Sequence, residues 1–234
     1  MKKYLVIGNP IDHSLSPKLH NYWIKINKIN AVYKKEKLND NDLEKIIDDV
    51  KKEKIEGINV TTPFKQKVIP YLDKLTVQAK KTHSVNTIYK HENEVVGHNT
   101  DIRGFEESLK FAEFDVKGKN ILILGAGGVV PSIIFSLSNM QAQSITVSNR
   151  TPEKADNLKK IFDNIKIEKW GNIPSVDMII NATSVGLKLE DKINLDFSQI
   201  KSKFFYDVIY NSSETNFLKI GKELGNKIIN GKMM

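Results

Sequence analysis

The chain has 234 residues, 40% of them hydrophobic, and a formal net charge of +8, which gives room for one large or two small domains with real cores. It holds no cysteine, which excludes disulfides and thiolate metal sites. The apolar run 4–7 after Lys2 and Lys3 stops at Gly8, Asn9 and Pro10, too short for the core of a signal peptide, so a cytoplasmic protein is expected.

The basic balance does not point to nucleic acid. The only arginines are Arg103 and Arg150, and the lysines alternate with Asp and Glu on amphipathic stretches that read as solvated faces. The charge favours the arrival of an anionic substrate.

In chain order, residues 4–7 read as a short buried strand. The loop His13, Ser14, Leu15, Ser16, Pro17 follows, in front of a helix running from about 17 towards 27. Two hydroxyls at that spacing could hold a carboxylate, although on local grounds Ser16 reads as the helix N-cap. A second strand is expected over 31–35, and a helix over 41–54 with Leu43, Ile46, Ile47 and Val50 on one face. A third strand, 57–60, ends in Thr61, Thr62, Pro63, Phe64 and Lys65. A lysine just past a strand end stands where open α/β sheets place their ligands.

A helical stretch is expected from Val68 through 75 and beyond, and 85–89 should pair with 94–97 as a hairpin. His98, Asn99, Thr100 and Asp101 then precede a helix to about 114, with Asp101 at its N-cap position. Three polar clusters at strand ends (61–65, Asn86, 99–101) therefore point to one rim.

Residues 120–150 carry the strongest local pattern. An apolar run (Ile121, Leu122, Ile123, Leu124) feeds Gly125, Ala126, Gly127 and Gly128. An apolar helical run to Leu137 follows, then the β-branched run Ile145, Thr146, Val147. Strand, glycine turn, helix and strand let backbone N–H groups at a helix N-terminus approach a pyrophosphate. Pro131 fits the first helical turn, and Val130 at the third fingerprint position limits how closely the helix packs. The second strand leads to Asn149, Arg150 and Thr151. A free ribose 2′-OH usually meets an acid there and a 2′-phosphate a cation, so NADP is favoured over NAD.

Further on, a helix is expected from Pro152 through 162 and a short strand over 166–170. The strand 177–180 ends in Asn181, Ala182, Thr183, Ser184, Val185 and Gly186, a small polar turn against which a flat ring can lie. A strand over 203–208 leads to Tyr210, a helix spans 216–223, and a last strand covers 228–231. The best domain boundary lies at 112–118, dividing the chain into 1–112 and 113–234.

These stretches together resemble the shikimate dehydrogenase family over nearly the whole chain. The motifs that carry the resemblance are His13-Ser-Leu-Ser-Pro17, Asn59-Val-Thr-Thr-Pro-Phe-Lys65, Val85-Asn-Thr87, Gly97-His-Asn-Thr-Asp101, Gly125-Ala-Gly-Gly128, Asn149-Arg-Thr151, Asn181-Ala-Thr-Ser184 and Asp207-Val-Ile-Tyr210, all in family order. The resemblance implies an α/β protein with an N-terminal substrate domain and a C-terminal Rossmann-type domain with a parallel sheet. It implies NADP-dependent interconversion of 3-dehydroshikimate and shikimate, in aromatic amino-acid biosynthesis. A small-molecule substrate, no nucleic acid, no membrane, no metal, and a monomer or homodimer are the expected associations.

Carried over residue by residue, the resemblance puts Ser14 and Ser16 on the substrate carboxylate. Thr61, Asn86 and Asp101 fall to the ring hydroxyls, and Tyr210 closes the site. Lys65 and Asp101 form the catalytic pair. Asn149, Arg150 and Thr151 take the 2′-phosphate, while Gly125, Ala126, Gly127, Gly128, Val129, Thr183, Ser184, Val208 and Gly231 complete the cofactor set. The residue types suit the chemistry: ketone reduction builds negative charge on oxygen, and Lys65 offers both a proton and a cation. A neighbouring Asp101 favours the ammonium form, and burial opposes it.

The chain departs from the family at His83 and Ser84, where smaller residues are usual, and at Ser212, where a proline often stands. In the family a helix bearing a substrate-contacting glutamine follows the glycine that matches Gly231 and returns to pack on the first domain. Without that segment, an exposed apolar patch on the first domain and weakened activity are expected. The competing readings are a quinate enzyme using NAD and a non-catalytic binding protein.

Overall fold

The structure is a computed structural model that describes residues 1–12, 14–188 and 190–234, so His13 of the first motif lies outside the described residues. The chain forms two compact units, Met1–Thr100 and Asp101–Met234.

The first unit contains β1 (Lys2–Gly8), α1 (Ser16–Ile26), β2 (Ala31–Lys37), α2 (Leu43–Lys51), β3 (Gly57–Val60), β4 (Lys74–Leu75), α3 (Val77–Thr82), β5 (Thr87–His91) and β6 (Glu94–His98). Its six-stranded sheet has the order β2-β1-β3-β5-β6-β4. β1 runs parallel to β2 and β3, while β5 is antiparallel to both β3 and β6. The apolar face of α2 (Leu43, Ile46, Ile47, Val50) is buried as its spacing predicts, in one cluster with Leu5, Ile7, Ile58, Val60, Ile88 and Val95.

The helix expected from Val68 onward is not formed. A 3₁₀ turn at Ile69–Tyr71 is followed by β4, paired with β6, and only then by α3. Pro70 cannot continue an α-helical ladder, and Asp73 accepts from the Val95 N–H at 2.8 Å, which ties the segment to the sheet instead.

Helix α1 buries none of its residues. Asn21 fastens it to β2 by donating Nδ2 to the Tyr33 carbonyl at 2.8 Å and accepting the Tyr33 N–H at 3.0 Å. His20 stacks on Tyr33 with ring centroids 4.2 Å apart. Leu15, Leu19, Tyr22, Trp23, Ile26 and Ile29 all remain exposed, Tyr22 by 60%. β2 forms a sheet edge whose exposed lysines, Lys34, Lys35 and Lys37, discourage pairing with another chain.

The second unit contains α4 (Asp101–Phe111), β7 (Asn120–Leu124), α5 (Val130–Asn139), β8 (Ser144–Ser148), α6 (Pro152–Ile161), β9 (Lys166–Glu168), β10 (Met178–Asn181), β11 (Phe204–Asp207), α7 (Asn216–Glu223) and β12 (Lys227–Asn230). Its six strands are all parallel, in the order β12-β11-β10-β7-β8-β9. Both faces of this sheet are covered, which is why its strands read as unbroken apolar runs. Ile121 and Ile123 join α4, α5 and α6 in one core, while Leu122 and Leu124 join Phe197, Phe205 and Phe217 in another. Trp170 packs, partly buried, against the latter.

The division between units falls at Thr100/Asp101, earlier than the 112–118 boundary expected from sequence. Phe105 and Leu109 of α4 are fully buried in the second unit's core, and Phe105 meets Tyr206 edge-on at 5.1 Å. α4 therefore belongs with the parallel sheet by packing. No described helix is long and apolar enough to cross a membrane.

Candidate active site

In the first unit the carboxyl ends of β1, β3 and β6 and the start of β5 share one rim, because β5 alone runs against the others. Thr61, Lys65 and Asn86 stand on that rim, and the segment carrying Ser14 and Ser16 leaves β1 from it. Ser16 is not the N-cap of α1 but its first helical residue. The flanking position is Leu15, which makes no side-chain cap, and the Ser14 hydroxyl accepts the Ser16 N–H at 3.3 Å instead.

Thr61 extends the pairing of β3 by donating its N–H to Ile7 at 2.9 Å. Gly8 makes this approach feasible, since a Cβ there would lie 2.6 Å from the Thr61 methyl. The turn closes with Phe64 N–H on the Thr61 carbonyl at 2.9 Å, and buried Phe64 anchors it in the core. Lys65 follows, half-buried, its carbonyl accepting from Val85 N–H at 2.8 Å.

Asn86 is 9% exposed. Its Oδ1 accepts from the Thr100 N–H at 2.9 Å and the Thr87 hydroxyl at 3.0 Å, while its Nδ2 donates to Thr100 Oγ1 at 2.9 Å. These partners fix which end of the amide is oxygen and which is nitrogen. Behind it, Asn59 donates to the Asn86 carbonyl and to Thr87 Oγ1, and accepts the Tyr33 hydroxyl at 2.6 Å. Asn59 draws no individual role from the sequence, because its partners lie 26 to 28 residues away. Asp101 follows Thr100 directly and opens α4 in the second unit, half-buried.

In the second unit every segment of the expected cofactor set emerges at the carboxyl rim of the parallel sheet. Gly125 to Gly128 follow β7, Asn149 to Thr151 follow β8, and Thr183 and Ser184 come after β10. Val208 and Tyr210 follow β11, and Gly231 follows β12. The strand order reverses between β7 and β10, the position where such sheets open a crevice.

Gly125 has φ +109°, and a Cβ on it would lie 2.8 Å from the Ala182 carbonyl oxygen. Only glycine fits there without strain. Gly127 is exposed, and a Cβ there would meet nothing nearer than that same oxygen at 3.8 Å. α5 begins with no side-chain cap at Val129 and with Pro131 in its first turn, while Val130 is fully buried in the core. The turn thus has the bare backbone and open room that a dinucleotide pyrophosphate needs. Asn149 donates Nδ2 to the Thr151 carbonyl at 2.8 Å, shaping the loop that presents exposed Arg150 at the start of α6.

Beneath the other loops lies a buried polar network that sequence reading did not single out. Asn181 and Asp207 are register partners at the ends of β10 and β11, both 0% exposed. Asn181 Nδ2 donates to both Asp207 oxygens at 3.1 Å and to the Val185 carbonyl at 3.1 Å, and Asn181 Oδ1 accepts from Thr183 N–H and Oγ1. Asp207 also accepts from the Ile209 N–H at 3.0 Å and the Thr215 hydroxyl at 2.6 Å. Burial raises the Asp207 carboxyl above the usual carboxylate range, against the pull of these donors. The available signal was a charged residue closing an apolar strand.

Fold and site together define an α/β protein with a dinucleotide-binding unit of the dehydrogenase type, joined to a mixed-sheet unit with its own polar rim. Comparison with known proteins narrows this. Residues 6–88 match the shikimate dehydrogenase substrate binding domain, and residues 107–208 match the shikimate / quinate 5-dehydrogenase family. The chain is 58% identical over 234 residues to the shikimate dehydrogenase (NADP(+)) of Pelagibacter ubique, covering 100% of this chain and 88% of that protein. The crystal structure of shikimate dehydrogenase from Aquifex aeolicus superimposes with a TM-score of 0.90 at 39% identity, over 100% of this chain and 87% of that one. The Thermus thermophilus shikimate 5-dehydrogenase in complex with NADP(H) and shikimate gives 0.89 at 29% identity, over 99% and 87%. The chain belongs to the shikimate dehydrogenase family.

Proposed function

We propose that this chain catalyses the reversible NADP-dependent reduction of 3-dehydroshikimate to shikimate. The observation that carries the reading is positional. The residues the family resemblance names in the first unit lie on its polar rim or on the segment leaving it, and those of the cofactor set follow strand ends at the rim of the second. In this reading the Ser14 and Ser16 hydroxyls hold the carboxylate, and Thr61, Asn86 and Asp101 hold the ring hydroxyls, with Tyr210 closing the site.

Bound NADPH supplies the hydride. Lys65 donates a proton to the developing alkoxide and stabilises its charge, with Asp101 as the second member of the catalytic pair. The Gly125 to Gly128 turn takes the pyrophosphate on backbone N–H groups, with Val129 at the head of α5. Asn149, Arg150 and Thr151 take the 2′-phosphate, a role for which a guanidinium is well shaped. Thr183, Ser184, Val208 and Gly231 flank the nicotinamide.

Mixing the chain with shikimate and NADP⁺ should produce the absorbance of reduced nicotinamide, and NAD⁺ should serve as a much poorer oxidant. No absorbance change with either oxidant, despite thermal stabilisation by the ligands, would replace this reading with that of a non-catalytic binding protein. Equal or better turnover with quinate and NAD⁺ would move it to the related quinate activity.

A further inference from the structure

We propose that Asp207 is a positioning residue for the dinucleotide, holding the nicotinamide-side loops in their binding shape without touching a ligand itself. The inference rests on the reading of the second unit's rim as the NADP site. Through Asn181, the Asp207 carboxylate sets the turn that carries Thr183 and Ser184. Asn181 is gripped on its nitrogen by both carboxylate oxygens, and its oxygen receives the Thr183 N–H at 3.1 Å and hydroxyl at 2.7 Å. Thr183 Oγ1 in turn accepts the Val185 N–H at 3.0 Å, closing the turn on itself.

The same carboxylate accepts the Ile209 N–H at 3.0 Å, which fixes the backbone on either side of Val208 and leads into Tyr210. The Ile209 carbonyl accepts the Gly231 N–H at 3.1 Å, so the third segment is tied to the second. Gly231 packs so closely on the Val208 carbonyl that any side chain would displace one of them. Finally, the Thr215 hydroxyl donates to Asp207 at 2.6 Å and accepts the Leu218 N–H at 3.3 Å, capping α7. One buried side chain thus organises the segments leaving β10, β11 and β12.

A neutral amide at position 207 cannot repeat this. Its NH₂ would face the Asn181 NH₂, donor against donor, or it would surrender the Ile209 or Thr215 donor. The turns would then have to be ordered when the cofactor binds, and affinity would fall.

The test compares Asp207→Asn with the reciprocal double variant Asn181→Asp plus Asp207→Asn, which restores one donor and one acceptor between the two positions. Calorimetry measures NADPH binding without substrate, and shikimate binding is measured separately without nucleotide. D207N should weaken NADPH by about tenfold, leave shikimate affinity within about twofold, and regain part of its NADPH affinity in the double variant, where the amide at 207 still gives up the Ile209 or Thr215 donor. Unchanged NADPH affinity in D207N overturns the inference. So does an equal loss for both ligands without rescue, the result of a merely structural role. Should D207N fail to fold, the double variant decides: full or partial NADPH affinity with shikimate affinity kept supports the proposal, and an equal loss for both ligands sinks it. A wild-type chain that binds no NADPH would instead refute the cofactor reading beneath it.

Discussion

Lys65 owes its place to backbone contacts on either side of it, the Thr61–Phe64 turn before and the Val85 N–H on its own carbonyl. Lys65→Ala should lower the turnover number roughly 10² to 10⁴-fold with a modest change in the Michaelis constant; turnover near wild type with only a raised Michaelis constant would remove its assigned role. Arg150, exposed on the loop that Asn149 shapes, is predicted to set cofactor choice. Arg150→Ala should raise the Michaelis constant for NADP⁺ about tenfold and leave that for NAD⁺ nearly unchanged, and a parallel rise for both would contradict the contact with the 2′-phosphate. At this scale the sequence was legible wherever a residue acts through its own neighbours or through a short motif. It was not legible where the partner is distant: Asp207 meets Asn181 across 26 residues and Thr215 across eight, and nothing in the local string marks the meeting.

The glycine turn after β7 is an element whose shape follows from steric exclusion. Gly125→Ala puts a methyl against the Ala182 carbonyl and forces a left-handed backbone on a residue that resists it. Urea unfolding should show a loss of about 1–3 kcal/mol, with weaker NADPH binding; a variant as stable as the wild type would show that the turn relaxes freely. This turn was readable because strand, glycines and helix follow one another without a break. The stretch 67–81 misled for the opposite reason. Its apolar spacing suits a helix, but Pro70 interrupts the ladder and Asp73 spends its carboxylate on β6. The expected domain boundary failed on α4, since a helix declares its face in sequence but not which sheet that face will meet. For α1, Ser16 does not take its expected capping part because the helix begins one residue before Pro17.

For the molecule as a whole, stability in alkali is predicted to depend on one buried phenol. The Ser108 hydroxyl donates to the Phe105 carbonyl at 2.7 Å, so at 2.8 Å the Tyr206 hydroxyl is the donor to Ser108. Burial pushes the Tyr206 phenol up to about 12. A folded value raised above the unfolded one gives a contribution fully present below about pH 10 and lost as pH climbs towards the folded value, at no more than about 1.4 kcal/mol per pH unit. Tyr206→Phe should therefore show a shallower fall in unfolding free energy between about pH 9 and about pH 11.5 than the wild type; parallel curves would contradict the raised value. The fold class was legible in the sequence, whereas the buried polar networks beneath each rim were not. The two tryptophans add an optical consequence. Trp23 lies on α1 of the first unit and Trp170 against the core of the second, so Trp23→Phe and Trp170→Phe variants each leave a single emitter. Denaturant titrations of the pair will report separately on the two halves, and coincident midpoints would reveal a single cooperative transition.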